Sequence, residues 1–73
     1  MRITTATLTK RINRKLAARG EALRRTRGMQ AYLELGDYYA IDISGNFVVS
    51  REIDLQELGR DLGVLFAHEE VAP

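Results

Sequence analysis

Residues 38–50 constrain the fold more than any other stretch of the chain. Tyr38-Tyr39-Ala40-Ile41-Asp42-Ile43 and Phe47-Val48-Val49-Ser50 are rich in aromatic and β-branched side chains, and Ser44-Gly45-Asn46 between them has the chemistry of a tight turn. Together they predict an antiparallel β-hairpin over 38–50. Alternation with a period of two groups Tyr39, Ile41 and Ile43 on one face and Tyr38, Ala40 and Asp42 on the other. The larger apolar set, Tyr39, Ile41 and Ile43, is expected to face the core.

A helix is predicted on each side of the hairpin. Leu8, Ile12 and Leu16 recur at i, i+4 and i+8, with threonines just ahead to act as caps, so an amphipathic helix is expected over 5–19. Its opposite face collects Lys10, Arg11 and Arg14, and Gly20 follows as a left-handed terminator. Downstream, Asp54-Leu55-Gln56-Glu57 has the spacing of a capping box, and Leu55, Leu58, Leu62 and Leu65 continue at helical spacing. Gly63 followed by Val64 reads as the stop, which places the second helix over 54–63.

The remaining segments are less determined. Residues 21–28 are too few for either period to decide, and we read them as a basic strand, a helical turn being the alternative. Met29 to Leu35 reads as a loop or extended segment ending at the Gly36-Asp37 turn. Residues 66–73 read as a loosely held tail. The order describes one small α+β domain spanning 1–73: an N-terminal basic helix, an antiparallel β-hairpin or three-stranded meander, and a C-terminal helix.

Size and residue usage limit what such a domain can do. A chain of 73 residues buries only about 60% of the surface its unfolded form exposes, so the core is thin and a homodimer is a natural expectation. There is no cysteine, which removes disulfides and thiolate metal sites and fits a reducing, cytoplasmic setting. Short apolar runs such as Phe47-Val48-Val49 fall far below the roughly 20 residues of a membrane span, and no membrane partner is expected.

Charge is the most informative part of the composition, because a formal net charge of +1 hides two opposed halves. Residues 1–28 carry nine basic side chains against one acidic, a net of +8. Residues 29–73 carry two basic against nine acidic, a net of −7. Such polarity suits either a polyanion-binding end or two halves that attract one another.

Catalytic and cofactor chemistry lacks its usual parts. The six glycines lie singly, so no glycine-rich phosphate loop is present. His68 is the single histidine, and its neighbours Glu69 and Glu70 do not easily converge with it on a metal ion; no metal or other cofactor is expected. Asp37 and Asp42 could border the hairpin together, yet acidic residues on a strand's solvent face are ordinarily solubilising, so no catalytic residue is assigned and the chain is expected to be a non-catalytic binding protein.

Two binding surfaces remain. Lys10, Arg11, Arg14, Lys15, Arg24, Arg25 and Arg27 form a basic N-terminal part suited to the phosphates of nucleic acid, with Tyr32 and Tyr38 available to stack on bases or simply half-buried in the sheet. The competing reading of that basic face is structural: it is an ordinary solvated helix face, paired with the acidic second helix of the same molecule or of its dimer mate. Alternatively the acidic side, through Glu57, Asp61, Glu69 and Glu70, docks on a basic, nucleic-acid-binding host protein.

The order Thr7-Leu8-Thr9-Lys10-Arg11-Ile12-Asn13, Gly36-Asp37-Tyr38-Tyr39-Ala40-Ile41-Asp42, Val48-Val49, Asp54-Leu55 and Leu62-Gly63-Val64-Leu65 resembles that of small uncharacterised proteins carried on mobile elements of proteobacteria. The resemblance implies a role as an accessory nucleic-acid binder, a regulator or an inhibitor of a host defence complex, as anti-CRISPR proteins are. It implies no activity and no site residue.

Overall fold

A computed structural model describes residues 2–72. Eight elements follow in order: β1 (Arg2–Ile3), α1 (Thr5–Ala17), β2 (Glu21–Arg25), α2 (Met29–Leu35), β3 (Tyr38–Asp42), β4 (Phe47–Ser50), α3 (Leu55–Asp61) and β5 (Glu70–Val71). The chain is an α+β protein in which an N-terminal helix, a three-stranded antiparallel sheet and a C-terminal helix form the body.

Helix α1 forms where the apolar stripe predicts it. Thr4 caps it, its Oγ1 accepting from the Thr7 amide at 3.1 Å. Leu8, Ile12 and Leu16 are all buried. The regular helix ends at Ala17, two residues before the expected Arg19, because the last turn tightens: the Arg19 amide donates to Leu16 O and Gly20 to Ala17 O. Gly20 then takes φ +74°, the left-handed exit the sequence suggested.

Strands β2, β3 and β4 make an antiparallel meander in the order β2-β3-β4. Residues 21–25 are thus a strand, in register with β3 from Glu21 opposite Asp42 to Arg25 opposite Tyr38. The buried face is the reverse of the expected one. Leu23 lies opposite Ala40, both buried in the core, and Tyr38 also packs against it. Ile43, expected inside, is 55% exposed. The requirement that sets the face is register: Ala40 sits opposite Leu23, which is buried in the core, so alternation along β3 turns Ile41 and Ile43 the other way. Summing apolar size along one strand could not reveal that requirement.

The segment expected as a loop or extended stretch, Met29 to Leu35, is the helix α2. Its residues are mostly good helix formers, but none is buried, so it shows no apolar stripe to read. Thr26 anchors its far end, the hydroxyl donating to the carbonyls of Gly36 and Asp37.

Helix α3 is capped by Asp54, whose Oδ1 accepts from the amides of Gln56 (2.9 Å) and Glu57 (3.2 Å). It crosses α1 where Gly59 is buried against Leu8 and Leu65. Gly63, at φ +74°, closes it, and Val64 packs on the core.

The tail is ordered rather than loose. Glu70 and Val71 pair in parallel with Arg2 and Ile3, and the Ala72 amide donates to Ile3 O at 2.7 Å. Ile3 and Leu65 complete a core of Leu8, Ile12, Leu16, Leu23 and Ala40. Contacts with distant segments hold this tail, which is why local pattern does not disclose it.

Candidate nucleic-acid interface

The basic residues singled out in the sequence separate into distinct places in the fold. Lys10, Arg14 and Lys15 are exposed on α1. Arg24 alternates with the buried Leu23 and therefore stands on the sheet face turned away from α1, while Arg25 ends β2 and Arg27 lies in the connection to α2. The seven residues are spread over α1, β2 and the connection to α2. On α1, Lys10 and Arg14 are one helical turn apart, and Arg14 and Lys15 line the same groove.

Arg11 is committed elsewhere. Its Nη1 donates to Val64 O at 3.0 Å and to both carboxylate oxygens of Glu69, at 2.9 and 3.1 Å. Glu69, expected on a docking surface, is instead 3% exposed. The two residues assigned to rival binding surfaces are thus bound to each other, and the Glu69 carboxylate is covered. The physical reason is that a buried carboxylate needs a cation and hydrogen-bond donors to offset its lost hydration, and α1 supplies the guanidinium.

Glu69 also shapes the turn that contains it. Its Oε1 accepts from the Phe66 amide at 3.0 Å, and its own amide donates to Phe66 O at 2.9 Å. From α3, Arg60 reaches the carbonyls of Phe66 and Glu69 at 3.4 and 3.5 Å, the long limit of such contacts. The bond from Arg11, then that from the Phe66 amide, hold the Glu69 carboxyl below its ordinary range, outweighing the opposite effect of burial.

Fixing this turn places Phe66 outward. The ring is 55% exposed and stacks on His68 with centroids 6.0 Å apart and planes 11° from parallel. Between it and α1 runs a groove of about 290 Å³ lined by Arg11, Arg14, Lys15, Gly63, Val64 and Phe66. Its floor cation, Arg11, is neutralised by Glu69. Its rim cations, Arg14 and Lys15, make no ion pair among the described residues. Sequence reasoning missed Phe66, an isolated aromatic in a segment with no periodicity.

The remaining acidic residues lie apart from this groove. Glu57 and Asp61 are exposed on α3 and line a shallow cleft with Asp54, Ser50, Arg51 and Glu52. Glu70 is exposed within β5. Tyr38, one of the two tyrosines considered for stacking, packs against the core, and Tyr32 is half exposed on α2, in a cleft it shares with Asp37, Glu52 and Asp54. Those acidic neighbours repel phosphate. No helix among the described residues is long and apolar enough to cross a membrane. No family model, no curated protein and no solved structure matches the chain.

Proposed function

We propose that the protein is a non-catalytic binding protein that contacts nucleic acid through Lys10, Arg14 and Lys15 of α1, as expected of an accessory or regulatory protein. The observation that carries this reading is the separation of the basic residues by role. Arg11 is consumed internally, whereas its neighbours on the same helix stay exposed and without an acidic partner among the described residues. If the basic face existed only to hold the acidic half, those neighbours would be paired as well. Cations spaced by one helical turn can follow successive phosphates of a backbone.

A second reading rests on Asp54, Glu57 and Asp61, which share one cleft and could face a basic host protein, as an inhibitor of a defence complex would. Fluorescence anisotropy on labelled mixed-sequence DNA and RNA at low salt separates the two. Lys10→Ala/Arg14→Ala/Lys15→Ala is expected to abolish binding, and Glu57→Lys/Asp61→Lys to leave it intact or strengthen it. Absence of nucleic-acid binding by the unaltered protein rejects the first reading and directs attention to the acidic cleft.

A further inference from the structure

Resting on the nucleic-acid reading above, we infer that the groove between α1 and the Phe66–Glu69 turn takes single-stranded nucleic acid, one base stacking on Phe66 while Arg14 and Lys15 hold adjacent phosphates. Three observations meet at this place. A large apolar ring is 55% exposed in a chain whose core is short of large side chains. The turn that displays it is fastened by Glu69 and Arg11, so the ring's position is built and not a fraying end. The groove beside it has two rim cations and an apolar wall, Val64 and Phe66, in the pairing that a nucleotide presents as phosphate and base.

Magnitudes favour a single strand over a duplex. Three α1 cations neutralise at most about three phosphates, which alone supports only weak binding at physiological salt. Stacking on one aromatic ring strengthens binding by about 5- to 150-fold, but the base must expose a face, which a duplex base does not. His68, already nearly parallel to Phe66, extends the platform.

The chain has no tryptophan, so Phe66→Trp introduces a unique fluorophore at the proposed stacking position. Single-stranded DNA, single-stranded RNA of the same sequence and a duplex DNA would be titrated into Phe66→Trp, and anisotropy affinities compared for the native protein and Phe66→Ala, with circular dichroism confirming that each variant is folded. Quenching of the indole by either single strand and not by duplex, with single-strand affinity lowered about 5- to 150-fold in Phe66→Ala and duplex affinity unchanged, is the expected result. Quenching by DNA, RNA or both identifies which polymer supplies the base. Equal binding of strand and duplex, or unchanged single-strand affinity in Phe66→Ala, overturns the inference while leaving the phosphate reading standing. No binding of any polymer overturns both.

Discussion

Arg11 and Glu69 are 58 residues apart in the sequence and 2.9 Å apart in the fold. Their contact ties the middle of α1 to the turn before β5, and with it fixes the position of Phe66. Taken from the sequence, one residue belonged to a phosphate-binding surface and the other to a phosphate-mimicking one. In the fold they cancel.

This pairing predicts how stability depends on pH. The Glu69 carboxyl titrates below its ordinary value of 4.5, chiefly because Arg11 donates to it. A carboxyl whose folded value is depressed contributes stability that is fully present above its unfolded value and is lost as pH falls through the folded one. Thermal melts should therefore show a loss of stability below about pH 4.5 that is smaller in Glu69→Gln. Arg11→Ala should lower the midpoint at pH 7 more than Arg11→Ala/Glu69→Gln does, because the single change leaves a buried carboxylate without its cation. Equal midpoints for those two variants would count against the pair.

Gly59 predicts a reversal of an ordinary rule. Glycine to alanine inside a helix ordinarily stabilises by up to about 1 kcal/mol. At Gly59 the added methyl would lie 2.9 Å from Leu8 Cδ1 and 3.1 Å from Leu65 Cβ, at the crossing of α1 and α3. Leu8 is fully buried and Leu65 nearly so, leaving little room to yield. Gly59→Ala should cost about 1–3 kcal/mol in chemical denaturation. A neutral or stabilising result would mean that the two helices separate easily.

Asn13 predicts a smaller effect at the sheet's outer edge. Its Oδ1 accepts from the Leu23 amide at 2.8 Å, so a side chain of α1 occupies a donor that β2 offers outward. Asn13→Ala would leave that amide without its acceptor and should cost about 1–2 kcal/mol, with faster hydrogen exchange at Leu23. Unchanged exchange there would show that the bond does not secure the edge.

Local pattern disclosed the elements whose own residues determine them. Leu8, Ile12 and Leu16 define α1, Asp54 defines the start of α3, and the Ser44-Gly45-Asn46 turn joins β3 to β4. Features set by another part of the chain stayed hidden. Ala40 faces the core because it pairs with the buried Leu23 of β2, and β5 exists because β1 is there to pair with. Helix α2 buries none of its residues and so prints no stripe. For the same reason the charged residues were legible as a population, but not which of them are spent inside the fold. Arg11 has the same local setting as Arg14, and only the position of Glu69 separates them.

The central claim, that exposed cations of α1 contact phosphates, is tested most directly by the salt dependence of binding to a single-stranded oligonucleotide. Three phosphate contacts predict a slope of log affinity against log salt of about −2, falling to about −0.7 in Arg14→Ala/Lys15→Ala, where Lys10 alone remains. The account predicts that change of slope with an unchanged melting midpoint. A slope that is the same in both proteins, or no binding at low salt, would contradict it.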